Sequence, residues 1–160
     1  MVRRPWCTTQ PVDETFFDTA PVRLRAAFDT PRPATQVWAD LTSERPLAWC
    51  RILESVTWTS PRPFDVGTTR IARSIGGVSV INERFFRWEE RRRQSFFVVE
   101  ASLPLCWRFA EDYLVEPTSE TSCRFGWTIA ARPAARIANP VHKLLLGTLF
   151  RDTRKRYGGC

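Results

Sequence analysis

The sequence predicts an α+β fold: a curved antiparallel sheet of about six or seven strands, with two short helices, crossed by one long C-terminal helix. Three observations carry this. A stretch from Asn139 to Tyr157 has clean helix start and stop signals. Nearly everything from residue 66 to 130 reads as strands joined by hairpin turns, which pair antiparallel. The order is strand, short helices, consecutive strands, long helix, so one apolar rod is available to cover one apolar sheet face.

The first 19 residues lack clear periodicity and contain Pro5 and Pro11; they are taken as an N-terminal extension, with Phe16 and Phe17 able to pack down. Residues 20–160 are expected to form one domain. Val22, Leu24, Ala26 and Phe28 alternate with Arg23 and Arg25, the period of a half-buried strand over 21–29. Thr30-Pro31-Arg32-Pro33 breaks it and opens a helix through Val37, Trp38 and Leu41 to about Ser43. Pro46 is read as starting a second short helix that carries Leu47, Trp49, Ile52 and Leu53. Strands follow over 66–75, 78–88, 94–103, 107–116 and 121–131. Their turn signals are Gly76-Gly77, the charged run from Glu89 to Arg93, Pro104 and the segment Pro117 to Glu120. Pro133 ends the sheet.

The last helix has Asn139 as N-cap and Pro140 at the first helical position, where no N–H is needed. Arg154, Lys155 and Arg156 meet the negative end of its dipole, and Gly158-Gly159 caps it. Val141, Leu144, Leu145, Thr148 and Leu149 fall on one face; Leu146 and Phe150 widen that face. At ~1.5 Å per residue the rod is roughly 27 Å long, enough to cross a small sheet.

Composition bounds the function classes. At 160 residues the chain can bury about 70% of its unfolded surface. No apolar run reaches a membrane span, and the N-terminus has no signal-peptide core. Five scattered Cys with no CxxC pair, and a single His, argue for reduced structural thiols in a cytoplasm and against a metal site; no cofactor is expected. Net charge is +7, with 24 basic and 17 acidic residues. This is read mainly as a solvated basic surface: no recognition helix or RNA-binding signature accompanies it, so nucleic acid is not the expected partner. Seven Trp suit both a core and a pocket for apolar ligands.

Several phrases, in order, are TPRPATQVWADLT at the first helix, VGTTRIARS and NERFFRWEE on successive strands, FAEDYLVEP on a later strand, and the Pro-then-Leu-rich last helix. From about Pro21 to Tyr157 this order resembles the START-related superfamily of helix-grip proteins, which includes the birch-pollen allergen type. It is most similar to the bacterial polyketide cyclase/dehydrase-like branch. The resemblance implies a hydrophobic cavity between sheet and long helix. It implies no single activity, because members of that group carry lipids, bind hormones or cyclise polyketides.

Strand alternation then nominates residues for that cavity. Phe109, Glu111, Tyr113 and Val115 share the apolar face of one strand, and Cys123, Phe125, Trp127 and Ile129 that of the next. In 78–88 both faces are apolar, so Ile81, Glu83 and Phe85 form one set and Val80, Asn82, Arg84 and Phe86 the other. A carboxylate on an apolar face must be paired, hydrogen-bonded or protonated. For Glu111 the plain expectation is an ion pair with Arg70 or Arg84, or a hydrogen bond to Tyr113. The functional alternative is an anchor for a ligand oxygen, or a general acid/base. Glu83 has the same two readings. His142, in the first turn of the last helix, is expected at the surface.

The leading expectation is therefore a binding protein for a hydrophobic small molecule such as a lipid or polyketide. Phe85, Phe97, Phe109, Tyr113, Phe125, Trp127, Leu145 and Leu149 would line its site, with Arg70, Glu83 and Glu111 at the polar end. The second expectation is a polyketide cyclase or dehydratase moving protons through Glu111, Tyr113 or His142. The third is a regulatory or interaction protein using its basic surface or the arc of Leu146 and Phe150. A homodimer is left open.

Overall fold

The computed structural model describes residues 6–134 and 139–158. The strands are β1 (Cys7–Thr8), β2 (Val22–Thr30), β3 (Leu53–Trp58), β4 (Thr69–Ser74), β5 (Val80–Glu89), β6 (Arg93–Ala101), β7 (Cys106–Pro117) and β8 (Cys123–Pro133). The helices are α1 (Phe16–Thr19), α2 (Ala34–Leu41) and α3 (Asn139–Tyr157). The strands form one curled antiparallel sheet in the order β2-β8-β7-β6-β5-β4-β3. Five pairs of consecutive strands are antiparallel neighbours, and the four from β4 to β8 turn where the turn residues predict; Gly76 and Gly77, at φ 68° and 62°, supply the left-handed backbone for the turn between β4 and β5.

The two faces of the sheet are both covered, unequally. The main core lies between the inner face and the helices, with Phe28, Val37, Leu41, Phe96, Tyr113, Phe125, Trp127 and Tyr157 almost wholly buried. On the outer face Phe16 and Phe17 of α1 pack on Ala110 and Ala130. β1 pairs with Glu100 and Ala101 of β6, beyond the point where β7 stops pairing at Phe97.

α3 crosses the inner face and is held hardest at its C-terminal half. Phe150 meets Trp127 and Phe28, and Tyr157 meets Phe125 and Trp49, as ring pairs with centroids 5.3–6.4 Å apart. The Tyr157 hydroxyl donates to Asp40 of α2 at 2.9 Å. Gly158 closes the helix through its N–H to the Arg154 carbonyl; a Cβ there would come within 2.5 Å of that oxygen, so only glycine fits.

Three expectations about local structure are corrected. Residues 46–52 form turns, and Leu53 begins β3. Leu47 adopts φ 59°, which an α-helix cannot contain. What fixes this segment is tertiary: the Arg51 N–H donates to Asp152 at 2.9 Å, and Trp49 Nε1 donates to Thr153 at 3.0 Å. The apolar residues there face α3 without needing helical spacing. Second, Leu144 is exposed rather than on the buried face of α3; the stripe that meets the sheet runs through Leu146, Leu149, Phe150, Thr153 and Tyr157. Third, Phe97 lies on the outer face, packed with Phe86, while Phe96 points into the core. Two adjacent phenylalanines make both faces of β6 apolar, so alternation alone cannot choose; the pairing of Phe96 with Glu111 does.

Candidate ligand site

The strand register builds a buried polar cluster under α3. Arg70 on β4 is the cross-strand partner of Glu83 on β5, and Tyr113 on β7 is the partner of Trp127 on β8. Glu111 is two residues before Tyr113 and therefore on the same face. Arg70 Nε donates to Glu83 Oε2 at 2.5 Å, with both side chains at most 3% exposed. Glu111 Oε2 accepts two hydrogen bonds, from the Tyr113 hydroxyl and from Trp127 Nε1, each 2.9 Å. Of the three partners expected for Glu111, the structure thus gives it Tyr113; Arg70 is taken by Glu83, and Arg84 is exposed on the opposite face.

Arg70 is further held in an aromatic cage. Its guanidinium carbon lies 4.2 Å from the Phe96 ring centroid, 5.1 Å from that of Phe85 and 5.4 Å from that of Trp58. Yet its Nη1 is buried with no hydrogen-bond partner among the described residues. An unsatisfied buried donor on a charged group is costly, and native structures rarely keep one without a reason.

The charges do not balance if all groups ionise. One guanidinium faces two carboxylates away from water. Burial first, and then the neighbouring Glu83 charge, pushes the Glu111 carboxyl up to about 8, against the Arg70 charge and the two hydrogen bonds it accepts. Burial also raises Glu83, opposed by Arg70. Arg70 is held above the ordinary guanidinium value: burial is the largest single influence and works against its charge, but the attraction and hydrogen bonding of Glu83 and Tyr113 together outweigh it. The Tyr113 hydroxyl is raised well above its usual value by burial and then by Glu111. At neutral pH the cluster is therefore an Arg70–Glu83 ion pair beside a mostly protonated Glu111.

Above this cluster lies a cavity of about 150 Å³, with α3 as its roof. Of the residues nominated from sequence, Arg70, Glu83, Phe109, Glu111, Tyr113, Trp127, Leu145 and Leu149 line it. Phe85 and Phe125 sit on the same face but behind the lining, filling the core. Phe97 is excluded by its outward position. The His142 side chain lies outside the described residues. The far wall, made by Ile52, Leu53 and Val56, lies where the sequence predicts a helix over 46–53 and shows no β3, and Ala72 joins it from the face of β4 that carries Arg70. The alternation of Val56 and Trp58 was the available signal for β3. A second apolar space of about 180 Å³ adjoins the first and shares Ser79, Ile81, Phe109, Leu145 and Leu146 with it; Leu103 and Leu105 form its outer side. No group of three or more metal-ligating side chains occurs among the described residues.

Solved structures with the same fold differ widely in sequence. A START superfamily protein from Mycobacterium smegmatis superposes with a TM-score of 0.68 at 9% identity, over 83% of this chain and 92% of that one. The ginseng major latex-like protein from Panax ginseng gives a TM-score of 0.62 at 16% identity, over 85% and 97%. These establish the helix-grip fold. In sequence the chain is 39% identical to uncharacterised proteins of Mycobacterium tuberculosis and Mycobacterium bovis, across 88% of this chain and 87% of theirs. Residues 21–157 match the family described as polyketide cyclase / dehydrase and lipid transport, and the chain belongs to that family.

Proposed function

We propose that the protein binds a hydrophobic small molecule in the space between sheet and α3, with an uncharged hydrogen-bond acceptor at the molecule's polar end. The observation that carries this is an apolar cavity whose lining includes the buried polar groups of Arg70, Glu83, Glu111 and Tyr113. A cavity of about 150 Å³ accepts a benzene-sized group, and the adjoining space extends it towards solvent. Glu111 supplies the donor: with Oε2 accepting from Tyr113 and Trp127, its proton belongs on Oε1. A neutral carboxyl donor in an apolar wall suits a carbonyl oxygen. A carboxylate suits it less well, since Arg70 is already neutralised by Glu83 and a further negative charge would be buried beside it.

Matched probes test this. Acetophenone, benzoate and ethylbenzene share one ring and differ in the polar end; shifts of the lining amide signals in NMR titrations report their affinities. The ketone is expected to bind tightest at neutral pH. Equal binding of all three removes the polar-end assignment. The absence of any shift, together with a purified protein that releases no small molecule in native mass spectrometry, removes the binding function itself.

A second reading, a cyclase or dehydratase, is favoured by one observation: Glu111 is poised near 8, in the range where a carboxyl group can donate and recover a proton. Glu111→Gln separates the two. A binding protein keeps its ligand with the amide in place, whereas an enzyme keeps the ligand and loses turnover.

A further inference from the structure

Eight large apolar side chains are exposed among the described residues, and their distribution is uneven. Six of them, Ile75, Val78, Leu105, Trp107, Leu144 and Leu145, belong to three short segments: the β4–β5 hairpin, the β6–β7 turn with the start of β7, and the N-terminal half of α3. These segments converge. Ser79 of the hairpin, Leu103 and Leu105 of the turn, and Leu145 and Leu146 of α3 line the same 180 Å³ apolar space that adjoins the cavity. Leu105 and Leu145 line this space themselves, and Ile75, Val78, Trp107 and Leu144 lie within four residues of side chains that do, so the exposed apolar positions cluster around one opening, and a cluster of that kind marks an interaction site.

Cations outnumber carboxylates around this opening, where Glu100, between the lining residues Val98 and Ala101, accepts a hydrogen bond from Asn82 Nδ2 at 2.6 Å. Residues 71–82, 101–110, 131–134 and 143–151 contain Arg73, Arg108, Arg132, Lys143 and Arg151 and no Asp or Glu, in a chain that has 17 acidic residues. Arg73, Arg108, Arg132 and Lys143 make no ion pair among the described residues, although Arg108 Nε donates to Gln10 at 2.9 Å, whereas most arginines on the rest of the sheet do. A core-directed role would not need the cations, and a purely electrostatic role would not need Val78 and Leu144 in water at 63% and 72% exposure.

We infer that this rim docks the protein on an anionic lipid bilayer, with the apolar side chains entering the headgroup boundary and the unpaired cations meeting lipid phosphates. The pairing of apolar tips with flanking cations is what interfacial binding requires, since each contributes separately to affinity. A nucleic acid would use the cations and leave the apolar tips in water. In this orientation the adjoining apolar space opens into the bilayer, so an apolar molecule reaches the cavity without crossing water. The docking itself does not depend on what fills the cavity.

Flotation with vesicles of phosphatidylcholine, alone or mixed equally with phosphatidylglycerol, tests it on the full chain. The mixed vesicles are expected to bind at least roughly tenfold more protein, with the excess lost at high salt. Val78→Glu combined with Leu144→Glu is expected to lower binding to mixed vesicles at least about tenfold. Both positions are surface-exposed, so circular dichroism should show an unchanged fold. Val66→Glu, equally exposed at 61% but outside the rim, is expected to bind like the parent protein. Failure to float with mixed vesicles overturns the inference, as does equal loss in all variants. It is also overturned by a parent dimer, seen in sedimentation, that the double variant dissolves; the rim would then be an interface between copies.

Discussion

Replacing Glu111 with Gln tests whether the cluster under α3 keeps a buried proton. In the folded protein burial raises the Glu111 carboxyl to about 8, from an ordinary value of 4.5. The folded state therefore binds a proton that the unfolded state has released across this window. Its favourable contribution is complete below about pH 4.5 and is lost as pH rises through about 8. Each pH unit inside the window lowers stability by up to about 1.4 kcal/mol, or roughly 3–5 kcal/mol across it. That is a large part of a domain stability of about 5–15 kcal/mol. Glu83 is raised too and acts in the same direction, so the parent profile contains both groups. The difference between parent and Glu111→Gln isolates Glu111. The amide oxygen still accepts from Tyr113 and Trp127, and the amide nitrogen stands where the acid proton was. Urea unfolding followed by circular dichroism at each pH unit from 5 to 9 measures it. The variant is expected to gain on the parent steadily as pH rises and to be the more stable of the two by pH 8. Parallel profiles would refute the reasoning, because they would mean that Glu111 ionises in the folded protein as it does in water.

Two further outcomes follow from the packing. Arg70→Met leaves Glu83 buried without its cation and should cost about 3–5 kcal/mol in urea unfolding; adding Glu83→Met should recover most of that loss, and a double variant no better than the single one would mean the ion pair is not the dominant contact of Arg70. Phe96→Ala, at a fully buried core position, should cost about 3–5 kcal/mol, and Phe97→Ala on the half-covered outer face clearly less; the reverse order would place the wrong face of β6 inward.

The long helix, the run of hairpins and the polar side of the cavity were legible in the chain because they depend on local chemistry. Pro140 and Gly158 act on neighbouring backbone, the Gly76-Gly77 turn needs only its own φ angles, and the Glu111-Tyr113 and Phe125-Trp127 pairs follow from the two-residue period of a strand. The same period turned Phe109, Glu111 and Tyr113 inward together. The positions that were not legible share a different cause. Phe96 and Phe97 are chemically identical, so which one faced the core depended on register with β7. Residues 46–53 have a helical spacing of apolar groups, but the hydrogen bonds that Arg51 and Trp49 donate to residues about a hundred positions away, Asp152 and Thr153, hold the segment in turns. Glu83, not Glu111, won Arg70 because β4 and β5 set them opposite one another, and that left Glu111 to keep a proton. The sequence by itself determined the strand faces that carry Glu111, Tyr113 and Trp127. Only the tertiary structure decided their partners and charges, because both depend on distances between strands that no local pattern encodes.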